Sequence, residues 1–122
     1  MDSPKVFIII LNYNGADCIR KTLTSVFRLN YSNLEIVLVD NNSVDGSFEA
    51  VKKEFSRVTL IKNSENLGFS SGNNIGIEYA LERGADYVWL LNYDTQVEKN
   101  SLAPLIDLME KEKEVGMASP VV

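Results

Sequence analysis

Histidine is absent from all 122 residues. That removes the usual general base, the commonest zinc ligand and every Ser-His or Cys-His nucleophile arrangement, so any acid/base chemistry falls to Asp, Glu, Lys or Tyr. There is one cysteine, Cys18. No internal disulfide can form, nothing argues for an oxidising compartment, and the thiol is expected to be buried and structural. Basic clusters are also missing: 17 acidic against 12 basic residues give a formal charge of −5. Nucleic acid and anionic membrane are therefore poor expected partners. The apolar run at 6–11 is cut off by Asn12, Tyr13 and Asn14, too early for a signal-peptide core or a membrane span. A soluble, cytoplasmic chain is expected, or the cytoplasmic part of a longer one.

With 45% hydrophobic residues, the chain can bury one core, and residues 1–122 are expected to form a single domain. Five short apolar runs recur, at 6–11, 35–39, 58–61, 87–91 and 116–122. Most are continuous rather than alternating, as expected for strands covered on both faces. Between them lie stretches of helical periodicity: Ile19, Leu23, Val26 and Phe27; Phe48, Val51 and Phe55; Ile77, Ala80 and Leu81; Leu102, Leu105, Ile106 and Met109. Pro104 falls in the first turn of the last of these, where its missing N–H is not needed. Strands alternating with helices predict an α/β fold with a doubly wound, mostly parallel sheet and helices on both faces.

Polar residues collect after the strands. Asn12, Tyr13, Asn14 and Gly15 follow the first; Asp40, Asn41, Asn42 and Ser43 the second; the 63–68 stretch the third; Asn92, Tyr93 and Asp94 the fourth. In a parallel sheet these ends share one edge, where ligands of open α/β sheets bind. Asp40 can accept from a ribose hydroxyl or a base N–H, or it can order its own turn. Tyr13 can stack on a base or simply pack. Ser43 and Asp45 look like helix N-caps. Gly68, Gly72, Asn73 and Asn74 open the third helix, where small residues permit close backbone approach and the helix N-terminus favours an anion. Neither a P-loop nor a G-x-G-x-x-G turn is present. Asn92 and Asp94 can turn toward one crevice and suit a hard cation that completes its shell with water and phosphate; alternatively Asp94 and Thr95 only shape a turn.

The order "ILNYNG", "EIVLVDNNSVDGS", "NSENLGFSSGNNIGIEYA", "DYVWLLNYDTQV" resembles the family 2 glycosyltransferases of the GT-A fold, in particular their rhamnosyltransferase-like branch. The resemblance implies a Rossmann-like nucleotide-binding part, truncated on its C-terminal side. It implies that Leu11, Asn12, Tyr13, Asn14 and Gly15 line the nucleotide, with Tyr13 against the base. Asp40 would recognise base or ribose, with Asn42 beside it, and Asn66, Gly68, Gly72, Asn73 and Asn74 would border the nucleotide sugar. The family's D-x-D-like element falls on Asn92, Tyr93 and Asp94, so Asp94 would contact a divalent cation, Mg²⁺ or Mn²⁺, with Asn92 where the first acid usually stands.

The activity implied is inverting, metal-assisted transfer of a sugar from a nucleoside diphosphate sugar to an acceptor hydroxyl. In the full-length enzyme the acceptor would be a glycan or lipid-linked molecule, and the enzyme could lie peripherally at the cytoplasmic face of the membrane. The family's general base lies well beyond the D-x-D element. None of Glu98, Asp107, Glu110, Glu112 or Glu114 has a suitable setting, so no catalytic residue is assigned within the chain, and the base is expected beyond residue 122. Alternatives are a non-catalytic nucleotide-sugar-binding module and a nucleotidyltransferase. An exposed sheet edge also invites homodimer formation.

Overall fold

The computed structural model describes residues 3–112. Its elements alternate along the chain: β1 (Val6–Asn12), α1 (Ile19–Phe27), β2 (Leu34–Asp40), α2 (Ser47–Glu54), β3 (Thr59–Lys62), α3 (Gly68–Glu82), β4 (Tyr87–Asn92) and α4 (Leu102–Lys111). All strand pairs are parallel and the sheet order is β3-β2-β1-β4. The expected fold class is present: a parallel sheet wound in both directions. The fifth apolar run, at 116–122, lies outside the described residues.

β1 is central because every one of its residues is apolar until Asn12 and all seven are buried. Its side chains alternate between two cores. Val6, Ile8 and Ile10 meet α1 through Ile19, Leu23 and Val26, α2 through Val51, and α4 through Leu102 and Ile106. Phe7, Ile9 and Leu11 meet Val37 and Val39 of β2 and Ala80 of α3 on the other face. Three helices thus cover one side and α3 the other. The winding runs outward from β1 to β3, then α3 carries the chain back over the sheet so that β4 pairs with the free side of β1.

Four expectations need correction. β4 is only partly covered on its second face: Val88 packs against the core under α3, whereas Leu90, opposite Ile9, is 42% exposed because α3 sits chiefly over β1 and β2. Leu81 is exposed instead of inward, since the buried stripe of α3 is Gly72, Asn73, Gly76 and Ala80. Small residues let the helix press against the sheet, which moves the bulky ones to its flanks. Phe27 is likewise 38% exposed, stacked on Phe55 with centroids 5.9 Å apart. Cys18 is half-buried just ahead of α1, not sealed in the core. Pro104 does stand in the first turn of α4. Among the described residues no helix is long and apolar enough to cross a membrane.

Candidate functional site

The point where the winding reverses lies between β1 and β4, the place where an open parallel sheet leaves a crevice beyond its strand ends. Register brings the polar strand ends level: Asn12 lies opposite Asp40 and Leu11 opposite Asn92. The ladder continues one residue further, with Asn41 N donating to Asn12 O at 2.9 Å and Asn63 N to Asp40 O at 2.8 Å. Four loops therefore meet at one edge.

The predicted site residues divide into an inner layer and an exposed one. Leu11, Asn12, Gly15, Asp40, Gly72 and Asn73 are buried; Tyr13, Asn14, Asn42, Asn66, Gly68, Asn74, Asn92 and Asp94 are exposed. Asp40 has no accessible surface. Its Oδ1 accepts from Asn12 Nδ2 at 2.9 Å and from Ser43 Oγ at 2.8 Å, and its Oδ2 accepts from Ser43 N at 2.8 Å. Of the two roles open to Asp40, this geometry is that of ordering its own turn.

Gly72, expected to permit approach of a ligand, instead permits approach of α3 to the sheet: a Cβ there would lie 2.6 Å from Leu11 Cδ1 and 3.0 Å from Asn41 Nδ2. Asn73 turns inward too, its Nδ2 donating to Phe69 O at 3.1 Å. Ser43 is not a helix cap but a member of the buried network. Gly46, with φ +86°, holds the N-cap position of α2. Asp45 stands one residue earlier and accepts from Ser47 N at 3.0 Å and Ser47 Oγ at 2.6 Å. Desolvation works against ionisation of Asp45, yet hydrogen bonds from Ser47 and from Ala16 N outweigh it and hold the carboxyl below its ordinary pKa.

The two loops flanking the crevice touch through Gly15. A Cβ at Gly15 would meet Asn12 Oδ1 at 2.4 Å and Tyr93 Cδ2 at 2.5 Å, so only glycine fits where the first loop crosses the turn after β4. Tyr93 packs its ring inward against the core, and its carbonyl accepts from Thr22 Oγ1 at 2.6 Å. Side-chain alternation then leaves Asn92 and Asp94 facing out. Thr95 N donates to Asn92 O at 3.3 Å, closing the turn. Asp94 is exposed and has no hydrogen bond or ion pair among the described residues. Nor do those residues include a group of three or more Asp, Glu, His or Cys able to hold a metal. One open carboxylate with a neighbouring amide fits a hard divalent cation only if most of its ligands come from water and a phosphate-bearing molecule.

Three supporting residues received no role from sequence reasoning, although Asn41 stands among the polar residues that follow the second strand. Asn41, 2% exposed, receives Asn63 Nδ2 at 2.9 Å and Leu67 N at 3.4 Å on its Oδ1, while its Nδ2 donates to Gly68 O at 3.1 Å. One amide thereby ties the 63–68 loop and the start of α3 to β2. Ser47 and Thr22 were missed as well, since hydroxyls on helices carry no signal of the loop they will meet. Asn14 and Asn42, both named as site residues on the resemblance, have φ of 51° and 65°, the left-handed region that Asn tolerates.

A fold with this edge finds close company among known proteins. The family model described as Glycosyl transferase family 2 matches residues 7–122. The chain belongs to glycosyl transferase family 2. It is 32% identical over 109 residues to an Escherichia coli protein named UDP-Glc:alpha-D-GlcNAc-diphosphoundecaprenol beta-1,3-glucosyltransferase WfaP, covering 88% of this chain and 42% of that protein. An uncharacterized glycosyltransferase of Haemophilus influenzae is 31% identical over 109 residues, covering 80% of this chain and 34% of that protein. Among solved structures, the mannosyltransferase PcManGT of Pyrobaculum calidifontis, in complex with GDP-Man and Mn²⁺, superposes with a TM-score of 0.81 at 25% identity, over 89% of this chain and 33% of that one. The GT-A fold of this family-2 chain is thus shared, and the chain spans less than half the length of each of these relatives.

Proposed function

We propose that this family-2 chain supplies the donor-binding part of an inverting, metal-assisted glycosyltransferase that takes a nucleoside diphosphate sugar. The observation that carries the proposal is the pairing, across the β1/β4 switch point, of an exposed Tyr13 on one loop with an exposed Asp94, unpartnered among the described residues, on the turn that the same loop touches through Gly15. Tyr13 offers a face for the base. Asn14, Asn42, Asn66 and Asn74 offer neutral donors and acceptors to ribose and sugar hydroxyls, suited to a ligand rich in both. Asp94, with Asn92, would hold a divalent cation, Mg²⁺ or Mn²⁺, whose charge offsets the negative charge gathering on the departing diphosphate.

In the transfer itself the acceptor oxygen bonds to the anomeric carbon as the bond to the diphosphate breaks, and the acceptor hydroxyl gives up its proton to a carboxylate base. In this reading that base, and the site for a glycan or lipid-linked acceptor, would belong to the part of the relatives' length that this chain does not span. WfaP, whose name specifies an alpha-D-GlcNAc-diphosphoundecaprenol acceptor and a UDP-Glc donor, supports that class of substrates. PcManGT, with its GDP-Man and Mn²⁺, supports a nucleotide-sugar donor and a divalent cation.

Calorimetric titration of UDP, dTDP and GDP, each with and without Mn²⁺, tests the proposal on the wild-type chain and on Asp94→Ala. The expected result is Mn²⁺-dependent binding of one nucleotide, weakened at least about tenfold by the substitution. Equal binding without Mn²⁺, or by Asp94→Ala, removes Asp94 and the cation from the scheme.

A further inference from the structure

In the loop that carries Tyr13, backbone bonds hold the two ends, Asn41 N donating to Asn12 O at 2.9 Å and Cys18 N and Ile19 N to Gly15 O at 3.0 and 2.8 Å, while side chains hold the stretch between. Asn14 N and Ala16 N both donate to side chains of the neighbouring β2–α2 loop: to Ser43 Oγ at 2.9 Å and to Asp45 Oδ2 at 2.9 Å. Asn14 returns the bond, its Oδ1 accepting from Val44 N at 2.8 Å. This exchange accompanies a φ of +51° at Asn14, in the left-handed region that Asn tolerates better than most non-glycine residues.

The direction of each bond follows from two carboxylates. A carboxylate only accepts, so the Ser43 hydroxyl must point its hydrogen at Asp40 Oδ1, 2.8 Å away, and its lone pairs are left for Asn14 N. In the same way the Ser47 hydroxyl points at Asp45 Oδ1, 2.6 Å away, and its lone pairs receive Asn12 Nδ2 at 2.9 Å. Asn12 gives its other hydrogen to Asp40 Oδ1 at 2.9 Å. Two short relays, Asp40 to Ser43 to Asn14 and Asp45 to Ser47 to Asn12, thus grip alternate residues of the first loop. Asp45 adds a direct grip on Ala16. Tyr13, between two gripped residues, is left with its side chain 43% exposed.

We propose that Ser43 and Asp45 are positioning residues of the donor site, holding the 12–16 loop so that Tyr13 is presented to the base before a ligand arrives. The proposal rests on the donor-site reading above. Preorganisation of this kind raises affinity by removing the cost of ordering a loop on binding.

The test couples two readouts on the wild-type chain and on Ser43→Ala, Ser43→Thr and Asp45→Asn. One is amide hydrogen exchange by NMR at Asn14, Ala16 and the β1 core; the other is calorimetric affinity for UDP, dTDP and GDP with Mn²⁺. Ser43→Ala is expected to speed exchange at Asn14, and Asp45→Asn at Ala16, by about tenfold or more while Ile8 and Ile9 stay protected, and each to weaken nucleotide binding by about tenfold. Ser43→Thr, which keeps the hydroxyl, restores both readouts. Unchanged exchange at Asn14 in Ser43→Ala overturns the relay; faster exchange with unchanged nucleotide affinity overturns its role in the site. If the wild-type chain binds none of the three nucleotides, the donor-site role falls with the donor-site reading, and the exchange data alone decide whether the relay holds the loop.

Discussion

Gly76 of α3 faces Ile9 of β1 with no room for a side chain: a Cβ there would lie 2.4 Å from Ile9 Cγ2 and 3.2 Å from Val39 Cγ2. Ile9 and Val39 are fully buried and β-branched, so neither can swing aside. Gly76→Ala gains up to about 1 kcal/mol of helix propensity. Forcing a methyl into a packed interface costs about 1–3 kcal/mol. The expected outcome is a net loss of stability, seen as a lower midpoint in thermal unfolding followed by Trp89. A midpoint at or above that of the wild type shows that α3 can slide.

Gly76 also illustrates what was legible in the sequence. The parallel α/β order could be read because β1 and β2 are nearly continuous apolar runs separated by helical periodicity. The buried face of α3 could not, because its stripe is Gly72, Asn73, Gly76 and Ala80, and apolar periodicity has nothing to detect where close approach demands small side chains. The site shows the same split. Strand-end reasoning places Tyr13, Asn92 and Asp94 correctly at one edge. It does not separate the exposed Asn42 from the buried Asp40 two residues earlier, since both are short polar residues and only the loop geometry decides which one turns inward.

Asn41 is a direct test of how the third loop is held. Asn41→Ala leaves Asn63 Nδ2, Leu67 N and Gly68 O without the partner they share. Unsatisfied buried polar groups cost about 1–3 kcal/mol. Urea unfolding of the variant is expected to lose that much, with exchange at Leu67 and Gly68 accelerated beyond the global change. Substitution without loss would mean that water replaces the amide, and that the 63–68 loop is held by the ladder bond from Asn63 N to Asp40 O.

Tyr87 and Glu110 give a prediction in the alkaline range. The Tyr87 hydroxyl donates to Glu110 Oε2. That bond first, then desolvation and the nearby charge of Glu110, Asp86 and Tyr31, raise the Tyr87 pKa from 10.0 to about 12. A raised phenol pKa favours the protonated native state. Its contribution is complete below pH 10 and is lost as the pH climbs toward about 12. Titration of tyrosinate absorbance is expected to show a late-ionising tyrosine that Glu110→Gln brings back toward the ordinary range. An unchanged profile in Glu110→Gln assigns the late step elsewhere, with Tyr31, whose pKa is raised chiefly by desolvation, as the next residue to substitute.

Tyr13 and Asp94 separate the two ends of the proposed donor. Tyr13 is exposed and its ring forms no stacked or edge-on aromatic pair among those described, so Tyr13→Ala is expected to leave the unfolding midpoint close to that of the wild type. Loss of an aromatic stacking partner costs about 0.5–1.5 kcal/mol, which corresponds to about two- to twelvefold in nucleotide affinity. Tyr13→Phe, which keeps the ring, should retain the affinity. The loss in Tyr13→Ala should be the same fraction with and without Mn²⁺, because the base carries no metal ligand in this scheme, whereas the loss in Asp94→Ala should appear only when Mn²⁺ is present. Calorimetry on both single variants and on the double variant decides the matter. Additive losses mean that base and diphosphate are held by separate contacts. A Tyr13→Ala defect that vanishes without Mn²⁺ would instead place the tyrosine at the diphosphate end, and the orientation of the donor in the crevice would have to be reversed.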